Sequence, residues 1–244
     1  MIRCDGVSKS YGRLAAVSEV TLEVATGTVC AILGPNGAGK STLVKILTGL
    51  LAPSKGFGNV CGLAISDVGL KRIVGILPES LALFNELTVG EHLELTGAVY
   101  GLPRDEVYRR ADQLLRVLHL EHGRKTLIHE CSYGMKKKTA LAMALLPNPR
   151  ALFLDEPFEG VDPVTAETIR LILRASAERG ITVLLTSHIL SLVDRVADKV
   201  VMMNHGQVVL DKKTSELPNT LENLYFDLIE RAPAEDLGWL GWPA

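Results

Sequence analysis

The stretch TVCAILGPNGAGKSTLVKILTGL, residues 28–50, decides the fold. It opens with an apolar, β-branched run that ends at Leu33. It then passes through Gly34, Pro35, Asn36, Gly37, Ala38, Gly39, Lys40, Ser41 and Thr42, and continues with Leu43, Ile46, Leu47 and Leu50 at helical spacing. That order reads as strand, glycine loop, helix. The loop fits G-x-x-x-x-G-K-[ST] and stands between a strand and a helix, where its chemistry needs it. Its glycines let backbone N–H groups converge on phosphate oxygens, and the helix N-terminus adds partial positive charge. Lys40 is then expected at the β and γ phosphates of a nucleotide and Ser41 on a Mg²⁺ ion.

Outward from this loop, further buried-strand runs stand at residues 73–77, 151–154 and 181–186, the last two separated by a helical stretch at 164–178. Apolar strands alternating with helices predict an α/β core with a mostly parallel sheet, which with the phosphate loop reads as the core of a P-loop nucleoside triphosphatase. Residues 18–24, and the pair 199–203 and 207–210 joined by Asn204-His205-Gly206, read as antiparallel and peripheral. Between residues 86 and 146 the pattern is helical without strand: 89–100, then a helix starting at Pro103 with Asp105 and Glu106 in its first turn. The expectation is one domain over residues 1–244. A core of 1–85 and 147–212 carries an antiparallel β part, an all-helical insert spans 86–146, and a C-terminal helical extension spans 213–244. In that extension the amphipathic residues 220–231 are expected to pack on the core, ahead of a Gly/Trp/Pro-rich end at 237–244.

Composition bounds the function. Of 244 residues 47% are hydrophobic, ample for a large core, and 26 Lys+Arg against 28 Asp+Glu leave a formal net charge of −2. No global basic field exists to hold nucleic acid. The N-terminus has no apolar signal-peptide core and no run reaches the length of a membrane span. The mean hydropathy of +0.22 hints at an apolar surface for a partner. Cys4, Cys30, Cys61 and Cys131 form no C-x-x-C pair and sit among apolar neighbours, as reduced structural thiols do.

A second chemical centre comes after the strand at 151–154. Asp155 ends it, where a carboxylate can hold a Mg²⁺-bound water, and Glu156 comes next, placed to orient or deprotonate a water attacking the γ phosphate. A helix-start carboxylate is the bland alternative for Glu156. The strand at 181–186 ends in Ser187-His188, and a histidine at a strand end is a candidate for the γ phosphate and the attacking water. The other five histidines have no such placement and are expected on the surface.

HECSYGMKKKTALAMALL, residues 129–146, sets a polar turn and three lysines at the start of a helix. Cations there oppose the helix dipole unless an anion docks. Lys136, Lys137 and Lys138 point about 100° apart, so they cannot all reach one anion. One or two are expected to strengthen the local field and the rest to face solvent.

In order and spacing, Gly34 to Thr42, Cys131-Ser132-Tyr133-Gly134-Met135, the segment from Leu152 to Pro157 and His188 resemble the ATP-binding cassette ATPases, the nucleotide-binding subunits of ABC transporters. The resemblance covers the chain from Ile2 to about Leu210. It implies that Ser132 and Gly134 contact the γ phosphate of ATP held by an opposite subunit, so that a homodimer or heterodimer encloses ATP between one phosphate loop and the other signature helix. It also implies that Tyr11 stacks on adenine and that Asp162, in Glu159-Gly160-Val161-Asp162, lies at the dimer interface. Two positions depart from the family pattern. Glu159 replaces a small or hydroxyl residue, and Glu79, in Pro78-Glu79-Ser80, replaces a glutamine. Glutamate keeps an oxygen for Mg²⁺ but loses the amide donor and adds negative charge near ATP. Glutamate at position 79 is, however, familiar among relatives whose signature reads Ser-x-Gly-Met followed by basic residues, as here, and that subgroup resembles bacterial ATPases serving exporters whose membrane spans are separate chains. The implied partner is an integral membrane permease and the implied location the cytoplasmic face of the cell membrane. A soluble ATP-driven switch and a regulatory ATP binder with weak hydrolysis are the competing readings.

Overall fold

A computed structural model of the chain describes residues 1–229. Two long strands, β1 (Ile2–Tyr11) and β2 (Leu14–Val24), open the chain as an antiparallel pair. β3 (Val29–Leu33) runs into the glycine loop and α1 (Lys40–Leu47) leaves it. β4 (Lys55–Val60), β5 (Leu63–Ala64), the short α2 (Leu70–Ile73) and β6 (Val74–Leu77) follow. Three longer helices come next, α3 (Val89–Val99), α4 (Arg104–Val117) and α5 (Tyr133–Leu145). The remainder alternates: β7 (Ala151–Leu154), α6 (Pro163–Glu178), β8 (Thr182–Ser187), α7 (Leu190–Val196), β9 (Lys199–Asn204), β10 (Gln207–Lys213) and α8 (Leu221–Leu228).

The strands form two sheets, one ordered β2-β1-β4-β5 and the other β10-β9-β3-β8-β7-β6. In the second sheet β6, β7, β8, β3 and β9 are parallel and only β10 is antiparallel. Their apolar runs are continuous because both faces are covered. Cys30 and Ile32 of β3 belong to one core with α1 and the antiparallel sheet, while Val29, Ala31 and Leu33 belong to another with the helices of 89–145 and α6. On that second face α5 lies close on β6. A Cβ at Gly75 would stand 2.2 Å from the Ala144 carbonyl oxygen, so only glycine admits this approach.

The hairpin at 199–210 is not peripheral. β9 lies beside β3 with Cys30 paired to Lys199 and Leu33 to Met202, and Val200, Val201, Met202 and Met203 are all fully buried. A hairpin turn fixes one partner of a strand and leaves its other edge unspecified; four consecutive apolar residues on β9 required a second neighbour. β1 and β4 escaped the sequence reading because glycine, lysine and serine interrupt their alternation.

α3 begins in a reciprocal cap. The Thr88 hydroxyl accepts from the Glu91 N–H at 3.2 Å and the Glu91 carboxylate accepts from the Thr88 N–H at 2.7 Å. His92, expected on the surface, is fully buried here. Its Nδ1 lies 2.8 Å from the Thr88 carbonyl and its Nε2 accepts from the Phe84 N–H at 3.0 Å, so both ring nitrogens are satisfied inside the protein. Cys4, Cys30 and Cys131 are buried and all four cysteines are free; burial pushes the Cys30 thiol up to about 12 and the Cys4 thiol to about 11. Leu221 of α8 is buried, and Leu224 and Tyr225 pack on the helical-side core. The end of the 220–231 stretch and all of 237–244 lie outside the described residues.

Candidate active site

Parallel strands in register bring their C-terminal ends to one edge of the sheet, and the residues just beyond those ends gather into a site. Leu33 pairs with Ser187, Leu77 with Leu154 and Leu154 with Leu185. Gly34, Glu79, Asp155, Glu156 and His188 therefore emerge side by side.

Gly39 is the N-cap of α1 with φ of 96° and no side-chain cap, so the first N–H groups of the helix are left for a ligand. Lys40 comes next, 7% exposed, its ammonium donating to the Gly34 carbonyl at 2.7 Å and the Pro35 carbonyl at 3.2 Å. The loop's own carbonyls hold the cation under the loop. The Ser41 hydroxyl donates to Asp155 Oδ1 at 3.2 Å. The Thr186 hydroxyl of β8 donates to the same oxygen at 2.6 Å and accepts from the Glu156 N–H at 2.9 Å. Thr186 thus ties residues 155 and 156 to the next strand, a role that sequence reading missed; its place just before Ser187-His188 on a buried strand was the available signal.

Glu156 has φ of 49°, the left-handed region that non-glycine residues rarely adopt. Strain of this kind costs about 1–3 kcal/mol and persists where surrounding bonds impose it. The turn leaves the Glu156 side chain only 12% exposed, with Oε2 3.0 Å from His188 Nδ1. With the carboxylate ionised, His188 Nδ1 is the donor and, in the neutral ring, Nε2 carries no proton.

A cleft of about 490 Å³ is lined by Tyr11, Asn36, Gly37, Ala38, Gly39, Lys40, Ser41, Thr42, Glu79 and Glu156, among others. Tyr11, at the end of β1, is half-exposed with the Lys9 ammonium 5.6 Å from its ring centre. Glu79 also lines a neighbouring cleft of about 610 Å³ with Ser80, Tyr133, Glu159 and Gly160. The donor set around Ser41 and Asp155 suits a hard cation such as Mg²⁺, which takes few protein oxygens and completes its shell with phosphate and water. No cluster of three or more His, Cys, Asp or Glu poised for a metal exists among the described residues.

Ser132 and Gly134 do not line the 490 Å³ cleft. Ser132 is exposed and caps α5, accepting from the Met135 N–H at 3.2 Å. A Cβ on Gly134 would lie 3.6 Å from Asp162 Oδ2, so the signature turn and the loop after Glu156 are neighbours within one chain. Asp162 is itself the cap of α6, its carboxylate accepting from the N–H groups of Val164 and Thr165 and from the Thr165 hydroxyl. Those bonds, the Thr165 hydroxyl first, hold its carboxyl below the usual range. Of the three lysines, Lys136 and Lys138 are partly exposed, but Lys137, expected near solvent or anion, is completely buried. Its face of α5 is the one that meets the core, as the burial of Leu141 and Ala144, four and seven residues further on, shows.

The sequence and the fold have counterparts in known proteins. A model of the family described as "ABC transporter" matches residues 17–159, more than half of the chain. The daunorubicin resistance ATP-binding protein DrrA3 of Streptomyces coeruleorubidus is 38% identical over 88% of this chain and 69% of its own. The lantibiotic transport ATP-binding protein SrtF of Streptococcus pyogenes is 32% identical over 92% of this chain and 96% of its own. A solved dimer of the ATP-binding cassette MJ0796, in a post-hydrolysis state bound to ADP and Pi, superposes with a TM-score of 0.81 at 26% identity, covering 88% of this chain and 99% of that one. Family model and relatives together place this chain: it belongs to the ABC transporter family, as an ATP-binding and ATP-hydrolysing subunit.

Proposed function

We propose that the chain binds ATP and Mg²⁺ in the 490 Å³ cleft, closes head to tail on a second copy or a paralogue, and drives export by a separate integral membrane permease from the cytoplasmic face of the membrane. The observation that carries this reading is the convergence of Lys40, Ser41, Asp155, Glu156 and His188, while Ser132 and Gly134 stand outside the cleft of their own chain. A γ phosphate seated in that cleft meets the signature groups only when another subunit brings them.

In this reading Tyr11 stacks on adenine, and the N–H groups of residues 34–42 with Lys40 hold the phosphates. Ser41, Asp155 and Glu79 would hold the metal, which when bound would supply positive charge against that of the phosphates. Glu156 takes the proton of the attacking water, aimed by the turn at 156 and by His188. Ser132, Gly134 and Asp162 complete the interface. Closure is a population shift, because only the closed state gives the γ phosphate both sets of contacts. We assign residues 1–85 and 147–212 to the nucleotide-binding core, 86–146 to a helical lobe and 213–244 to a C-terminal extension.

Export, rather than uptake, is supported by the relatives named for drug resistance and lantibiotic transport. The permease contact lies, in this reading, where exposed Phe84 stands five residues after Glu79 and is held to the helical lobe by buried His92. Nucleic acid has no place in the reading, since a net charge of −2 supplies no attraction for it.

Glu156→Gln tests the assignment. The variant is expected to bind ATP and form a stable dimer with turnover reduced at least about 100-fold, as loss of a general base implies. Wild-type turnover in that variant would reject Glu156 as the base. Glu79 and Glu159 favour one further reading, a regulatory ATP binder; turnover of the unmodified protein at ordinary transporter rates removes it.

A further inference from the structure

Lys137 is not accounted for by the site. It is fully buried, and its Nζ is the buried side-chain nitrogen that finds no hydrogen-bond partner among the described residues. The ammonium stands 5.5 Å from the centre of the Tyr133 ring, one turn earlier on α5. A cation over an aromatic face recovers part of its lost hydration, not all of it.

The surroundings of this ammonium are acidic. Glu159, Glu156, Asp155 and Glu79 all act on the Lys137 charge, against burial, which pushes its pKa down. Glu159 and Glu79 line the 610 Å³ cleft with Tyr133, whose ring abuts the left-handed turn at Gly160. Both glutamates stand close to Asp155 and Glu156 in the corner that the Tyr133 ring closes. α5, which carries the lysine, also lies close on β6, which leads to Glu79. Glu79, Glu159 and the buried cation therefore share one corner beside Asp155 and Glu156.

We propose that Lys137 is a positioning residue for ATP hydrolysis: its ammonium is the counter-charge that lets Glu79 and Glu159 stand beside Asp155 and Glu156 while a polyanionic nucleotide occupies the cleft. The proposal rests on the assignment of Glu156 as the base. Lys137 touches no reacting atom; without it Glu159 and Glu79 repel the catalytic pair and the phosphates, and Glu156 loses its aim. An inert packing lysine would behave differently in rate: replacing it with an apolar residue of similar length would relieve the burden of a buried ammonium on stability and leave kcat unchanged.

Lys137→Met is the test, measured as steady-state ATPase kinetics beside thermal unfolding. The expected result is a kcat about tenfold lower, a KM for ATP within about twofold of the wild type, and an unchanged or higher Tm. Glu159→Ser, within about threefold of wild-type kcat alone, is expected to restore at least about threefold of the lost rate when added to Lys137→Met. An unchanged kcat in Lys137→Met, a loss that tracks a fall in Tm, or a loss that Glu159→Ser does not relieve overturns the proposal. Should Lys137→Met not fold, Lys137→Gln is read by the same criteria. Glu156→Gln measured alongside separates the two ideas: full turnover there removes the base assignment, whereas an unaffected Lys137→Met beside an inactive Glu156→Gln removes only this inference.

Discussion

Gly39 shows how much one residue decides. Its φ of 96° is open to glycine, and a Cβ there would stand 2.2 Å from the Ala16 carbonyl of β2. Gly39→Ala is therefore expected to destabilise by about 2 kcal/mol or more and to weaken ATP binding at least about tenfold, through strain and a displaced loop. Urea denaturation and nucleotide titration read the two effects, and a variant matching the wild type in both would refute the close approach. The loop was legible in the sequence because its chemistry needs glycine and lysine at fixed spacing. Lys137 and His92 were not. Spacing places three lysines about 100° apart on a helix, but which of them faces the core depends on where the helix docks. Nothing near His92 in the chain says that the Phe84 N–H will arrive to satisfy it.

Among the elements, α3 is held at its start by the paired bonds of Thr88 and Glu91. Thr88→Ala is expected to cost about 1 kcal/mol, measured by urea denaturation. Those bonds, the Thr88 N–H first and its hydroxyl second, hold the Glu91 carboxyl below its usual range. A depressed carboxyl supports the fold above its unfolded pKa and loses that support as pH falls through the folded value. The variant loses the hydroxyl's bond to the Glu91 carboxylate and keeps the backbone N–H bond, so the gap between wild type and Thr88→Ala should narrow at acid pH; a constant gap would show that the hydroxyl–carboxylate bond contributes nothing. Strands were legible in proportion to burial. β3, β7 and β8 are covered on both faces and read as unbroken apolar runs, whereas β1 and β4, with exposed positions and interrupting glycines, did not declare themselves. β9 was visible as a strand but misplaced, since its hairpin to β10 names only one of its neighbours.

At the scale of the molecule, Ser132 and Gly134 stand outside the cleft that the phosphate loop lines, so assembly is tested at the signature turn. Ser132→Arg is expected to bind ATP as the wild type does and to fail in ATP-dependent dimerisation, followed by light scattering. A dimer that forms undiminished would remove Ser132 from the interface. The sheet itself sets a limit on how such an assembly can move. Along β3 successive side chains serve opposite cores, Val29, Ala31 and Leu33 on one side and Cys30 and Ile32 on the other. Sliding the strand by one residue, about 3.3 Å, would send every one of them to the wrong side. The strand is keyed in place between β8 and β9, and the phosphate loop at its tip has no axial play. Beneath the phosphate loop the sheet is an anvil and not a spring.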